Sequence, residues 1–251
     1  MSQFMLIANA NEVITMAGHT AQPAKKDAMS EIGLLKNASV WIEHGQIVDV
    51  GTDKDIRQKY QAKLHRAEII DASGKIVTPG LIDPHTHLVY AGSREHEYVM
   101  RLQGKTYMDI MNAGGGIHAT TRATQQATHE ELYQAAKQRL NTFALHGVTT
   151  VEAKSGYGLT LKDELKQLEV AQQLHEDHPL DIVSTFMGAH AVPVEMTQQA
   201  DEFVDIVIQE MIPEVAKRQL AVFNDVFCER GVFTPEQSKR ILEAGKEYGL
   251  Q

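Results

Sequence analysis

Short alternating runs open the chain, and longer apolar runs separated by helical periodicity fill the rest. Phe4-Met5-Leu6-Ile7 and Glu12-Val13-Ile14-Thr15-Met16 read as two short strands. Ser39-Val40-Trp41-Ile42 and Gln46-Ile47-Val48-Asp49-Val50 flank His44-Gly45, a two-residue hairpin turn. Asp71-Ala72-Ser73-Gly74 marks another turn before Lys75-Ile76-Val77. Residues 1–78 are therefore expected to form part of a small β domain.

From Gly80 the rhythm changes to strand–helix alternation, the signature of a parallel sheet with helical crossovers. Strands are expected at 81–88, 148–154, 181–188 and 221–228, with a long loop after the first. Helices are expected at 129–146, where Thr128 and Glu131 are spaced as a capping box, and at 161–176, with Thr160 as N-cap and Pro179 just beyond. Helical segments over 198–219 should break near Pro213, and a last helix should run from Thr234-Pro235 to near Gly249. Four units of this kind make half of the eight that a (β/α)8 barrel needs. The expected fold is α/β: over 79–251, the N-terminal half of a TIM barrel, truncated before its fifth strand. An open four-stranded parallel sheet is the alternative.

His85 and His87 end the first apolar run, two residues apart. Residues at i and i+2 of a strand share a face, so both imidazoles can turn toward one divalent ion beyond the strand end. Two surface imidazoles at a strand–loop boundary are the plainer reading. Barrel logic supplies an independent test, because catalytic groups sit at the C-terminal ends of strands and in the loops that follow. Tyr157 follows the second strand and His190 ends the third, so three consecutive strands aim imidazole or phenol groups at one mouth. Arg94 lies in the first loop, where its planar fork suits a carboxylate, or where it simply pairs with Glu95 or Glu97. Gly114-Gly115-Gly116 lacks a following Gly-Lys-Ser/Thr, so it is no phosphate loop and is expected to let the chain fold closely over the mouth. Lys154 is read as structural or close to substrate. The other histidines (His19, His44, His65, His96, His118, His129, His146, His175, His178) are expected to be mostly solvated.

Three blocks carry a resemblance. Asp83-Pro84-His85-Thr86-His87-Leu88-Val89-Tyr90-Ala91-Gly92-Ser93-Arg94-Glu95 onward to Ile117, Lys154-Ser155-Gly156-Tyr157-Gly158, and Ser184-Thr185-Phe186-Met187-Gly188-Ala189-His190 resemble the imidazolonepropionase family, within the metal-dependent amidohydrolase superfamily. The resemblance implies His85 and His87 as metal ligands for one zinc or iron ion per subunit, and Arg94, Tyr157 and His190 as substrate contacts. It implies hydrolysis of 4-imidazolone-5-propanoate to N-formimidoyl-L-glutamate in histidine breakdown. It also implies that the N-terminal domain is part of a β-sandwich completed by C-terminal strands. The remaining metal ligands and the general acid and base would lie beyond residue 251, leaving this chain alone inactive. Another cyclic amidohydrolase or deaminase, or a non-catalytic fragment, stays open, as does a homodimer at full length.

Composition narrows the partners. A formal net charge of −9 gives no electrostatic footprint for nucleic acid. No apolar run is long enough for a membrane span, and the start lacks the basic and apolar regions of a secretory signal. The single cysteine, Cys228, excludes an internal disulfide framework, fits a reducing cytoplasm, and sits in an apolar run where a small core residue is expected.

Overall fold

The computed structural model describes residues 3–18, 24–106, 109–110 and 113–251. His19 lies outside the described residues. The chain divides into two compact units, Met1–Pro79 and Gly80–Gln251.

In the first unit, β1 (Phe4–Ile14), β2 (Leu34–Glu43), β3 (Gln46–Thr52) and β4 (Ala67–Asp71) form one mixed sheet in the order β3-β2-β1-β4, with β5 (Ile76–Val77) also paired to β1. The two expected N-terminal strands are a single strand. A bulge between Ile7 and Ala10, with Asn9 at φ 60°, shifts the β1–β2 register and lets pairing resume beyond it. The hairpin at His44-Gly45 forms with both residues at positive φ, 51° and 78°, the geometry that matches strand twist. Trp41 is fully buried between Phe4 and Tyr60, its ring 4.6 Å from that of Tyr60. Helix α1 (Asp53–Lys59), capped by Thr52, was not apparent in the sequence pattern. The described residues of this unit make one sheet, not two facing ones.

In the second unit, β6 (Leu81–Thr86), β7 (Val148–Lys154), β8 (Asp181–Ala189) and β9 (Phe223–Val226) run parallel in sequence order, consistent with part of a (β/α)8 barrel. The stretch after β6 is not a plain loop, for it contains α2 (Glu95–Leu102) and α3 (Ile117–Gln126). Helix α4 (His129–Leu145) has both hydrogen bonds of the Thr128–Glu131 capping box, and Thr160 caps α5 (Leu161–Asp177). Leu132, Ala136, Leu140, Val151, Val170 and Leu174 pack into the core that joins these two helices to the sheet.

The α-helical run is interrupted just before Pro213, as expected, but by a π-helical turn and not by a break in the chain's helical course. A π-helical turn over Val207–Met211 links α6 (Ala200–Ile206) to α7 (Ile212–Lys217), which places Pro213 in the first turn of α7. The wider π turn makes room for the proline ring and its missing N–H. Helix α8 (Pro235–Glu247) begins on a second capping box, Thr234 with Gln237. Cys228 is exposed, contrary to the expectation of a core residue. Strand β9 stops at Val226, two residues earlier than expected, and Cys228 falls in the following loop. His178 departs in the other direction. It is buried, with Nε2 3.2 Å from Asn141 Oδ1 and Nδ1 accepting from the Leu180 amide. His118 and His129 are half-buried.

Candidate active site

Strand β6 ends at Thr86, so His85 is within it and His87 one residue past it. His85 is exposed and His87 half-buried, their ring centroids 6.5 Å apart. At zinc–nitrogen distances of about 2.0–2.1 Å, two rings on one tetrahedral ion have their centroids roughly 5 Å apart, so these two would have to move closer together to share an ion. The His87 ring stacks on His190 at 4.4 Å and lies 4.9 Å from Tyr157, while Tyr157 and His190 are 5.2 Å apart. Three consecutive strands thus deliver one aromatic cluster. A cavity of about 450 Å³ opens beside it, lined by His87, Tyr90, Ser93, Arg94, Thr120 and Tyr157. Arg94 therefore shares a cavity with His87 and Tyr157. A larger cavity of about 610 Å³, along the loop from Cys228 to Thr234, shares no residue with this one.

Burial, reinforced by His190, pulls the His87 pKa down to about 3, so its ring is neutral at pH 7. Its Nδ1 is buried with no hydrogen-bond partner among the described residues. A neutral ring with an unclaimed nitrogen is what a metal ligand requires. Burial also lowers the His190 pKa. Nδ1 of His190 sits 2.9 Å from the Gly156 carbonyl, which can only accept. Nδ1 must carry the proton, leaving Nε2 as an acceptor. Burial raises the Tyr157 pKa, partly offset by Arg94, and keeps the phenol protonated.

Among the described residues, no group of three or more histidine, cysteine, aspartate or glutamate side chains could hold an ion. Two imidazoles are donors of the kind a zinc or iron ion takes, but His85 and His87 alone fall short of the three or four protein ligands of a zinc site.

Several further residues shape the site, and of these Glu164 and Gln167 were not singled out from the sequence. Glu97, almost fully buried, accepts from Arg94 Nη2 at 2.8 Å and from the Gly116 amide at 2.7 Å. The guanidinium holds the Glu97 pKa below the ordinary value. This is the Arg94–Glu97 pairing that the sequence had offered as the plainer reading.

Glu164 is fully buried in the first turn of α5. Its Oε2 accepts from the Gly156 amide at 3.0 Å, and its Oε1 from those of Gly158 and Leu159 at 2.8 Å each. Burial pushes its carboxyl pKa up, opposed by a Ser155 hydrogen bond and these amides. Gln167 Oε1 takes the Tyr157 amide at 3.1 Å while its Nε2 donates to the Val89 carbonyl at 2.6 Å. The available signal was Glu164 itself, a charged residue set in the apolar stripe of Leu161, Leu165, Leu168 and Ala171.

Lys154, at the end of β7, is buried and bridges Glu152 at 2.7 Å and Asp225 on β9 at 2.9 Å. Burial pulls its pKa down, but those two hydrogen bonds outweigh it and the net shift is upward.

The amidohydrolase family model matches residues 76–251. The chain is 65% identical over 250 residues to an imidazolonepropionase of Brevibacillus brevis, covering 100% of this chain and 59% of that protein. It is 63% identical to an imidazolonepropionase of Geobacillus kaustophilus, covering 98% of this chain and 58% of the relative. The chain thus spans a little under three-fifths of the length of these relatives. Among solved structures, a triazine hydrolase from Arthrobacter aurescens aligns with a TM-score of 0.54 at 17% identity, over 98% of this chain and 58% of that one. At that identity the likeness is one of fold.

Proposed function

The chain belongs to the amidohydrolase family, and from that premise we propose that it is the larger part of an imidazolonepropionase. Such an enzyme adds water across the ring C–N bond of 4-imidazolone-5-propanoate, giving N-formimidoyl-L-glutamate in histidine breakdown. The observation that carries the reading is the convergence of His87, Tyr157 and His190 from three successive strand ends, with Arg94 on the same cavity. The relatives at 63–65% identity support it.

Each residue has a distinct task. Arg94 binds the propionate carboxylate as a forked donor. The Tyr157 hydroxyl donates to the ring carbonyl or to the carboxylate. His190, with its Nδ1 proton committed to Gly156, offers Nε2 to a ring N–H. His85 and His87 would hold zinc or iron, one ion per subunit, with the other ligands coming from the length of the relatives that this chain does not cover. When bound, that ion supplies a water of lowered pKa. By the same reading, Gly80–Gln251 is the first half of a barrel and the N-terminal sheet is part of a sandwich completed by further strands. A cytoplasmic location fits the single cysteine, and no helix among the described residues is long and apolar enough to cross a membrane.

A protein of the relatives' full length tests this. It should turn over 4-imidazolone-5-propanoate in preference to other cyclic amides and aminated heterocycles. Arg94→Ala should raise KM about 10–100-fold, the value of one charged hydrogen bond, and should spare an analogue lacking the carboxylate. Preference for a different heterocycle would overturn the assignment, and equal losses on both substrates would remove Arg94 from the tail-binding role.

A further inference from the structure

Four consecutive backbone amides, those of Gly156, Tyr157, Gly158 and Leu159, end on just two side chains. Three go to Glu164 and one to Gln167. Both side chains are essentially inaccessible to water and stand one turn apart on α5. The backbone they hold needs holding. Gly156 lies at φ 113°, and Leu159, which has a side chain, lies at φ 54°. Positive φ in a leucine is a costly conformation that persists only when its surroundings over-determine it. At Gly158 a Cβ would run into the backbone of Asp163 and Glu164, so the loop is pressed directly against the start of α5.

We propose that Glu164, assisted by Gln167, is the positioning residue that sets Tyr157 and the tautomer of His190. The connection runs through Gly156. Its N–H is held by Glu164, and its carbonyl takes the Nδ1 proton of His190. A second connection passes through Ser155, whose hydroxyl bonds Glu164 and whose Oγ accepts from the Met187 amide, three residues before His190. Gln167 extends the clamp toward the first strand by donating to the Val89 carbonyl, two residues past His87. One buried carboxylate thereby fixes which nitrogen of His190 faces the substrate without touching the substrate itself. The inference rests on the reading above only in giving His190 a substrate to meet.

The test is made on the chain as it exists, without substrate or metal, by nitrogen-detected NMR of the His190 ring and amide exchange over 155–160. In the unaltered protein His190 should be the Nδ1–H tautomer, and the amides of Gly156, Gly158 and Leu159 should be protected. Glu164→Gln sets an NH2 group against at least one of those amides. Exchange there should accelerate, and the His190 tautomer ratio should shift about fivefold toward Nε2–H, the worth of one hydrogen bond. Gln167→Met should shift the ratio the same way but less, and it decides the matter if Glu164→Gln does not fold. A folded variant with an unchanged tautomer ratio would overturn the proposal, because a purely structural role predicts lost stability with no change at His190. Failure of the function reading would show separately, as an unaltered full-length protein that ignores 4-imidazolone-5-propanoate while the clamp signals remain.

Discussion

The loops after β6 and β7 both carry a side chain of the proposed substrate site, and they are built in opposite ways. The β7 loop is short, and its amides from Gly156 to Leu159 are all tied down by α5. The β6 loop is long, spans two helices, and pairs Arg94 with Glu97, which also takes the Gly116 amide. Arg94 keeps a side-chain exposure of 35%, against 4% for Glu97. The difference separates two tasks. On the proposed function, a ring must be met by groups fixed within a fraction of an ångström, whereas a flexible carboxylate tail can be gathered by a partly exposed guanidinium.

If that contrast is correct, the β7 loop is the more brittle. Glu164→Ala would strand three buried amides, each costing about 1–3 kcal/mol, and should destabilise the protein by at least about 3 kcal/mol in a denaturant melt. A loss below 1 kcal/mol would mean that water or a neighbour replaces the clamp. Gly158→Ala should follow, at about 1–3 kcal/mol for overpacking against α5. Thermal melting measures it, and an unchanged midpoint would show that the loop can back away.

Glu97→Gln belongs to the softer loop and should cost only about 1 kcal/mol, with a distinctive pH signature. The Glu97 pKa is lowered in the folded protein, chiefly by Arg94. Its stabilisation is therefore full above the ordinary glutamate value of 4.5 and lost as pH falls through the folded value. The variant should show a shallower acid-side decline in stability than the parent, and parallel curves would remove the Arg94–Glu97 pairing as its cause. Thr128→Ala, outside both loops, calibrates the set. Loss of its capping box should cost about 1 kcal/mol and leave ligand affinity unchanged, checked by melting and by titration with the substrate.

The ingredients of the site could be read from the chain, but the way they are held could not. Tyr157 and His190 were placed by strand-end logic, because apolar runs locate β7 and β8 closely. Capping residues Thr128, Thr160 and Thr234 fixed three helix starts, because an N-cap is a local hydrogen bond between near neighbours. Glu164 and Gln167 escaped because their partners lie five to ten residues back around a turn whose positive φ values no pattern of polarity encodes. The β1 bulge and the π turn before Pro213 escaped for a similar reason. Each is one residue of misfit that only the neighbouring strand or turn reveals. Cys228 was misplaced because an apolar run does not say where its strand stops.

The bridge from Lys154 to Glu152 and Asp225 has an electrostatic consequence. Two carboxylates share one ammonium, so the cluster carries a formal surplus of one negative charge on the face of the sheet. That surplus is felt at the strand ends, where Asp225 and the His85 ring interact electrostatically. Because Lys154 is buried and its neighbours are only partly exposed, counterions screen the field less than they would at the surface. Asp225 thus sets a negative charge beside that strand end, one that an arriving cation would feel without touching it.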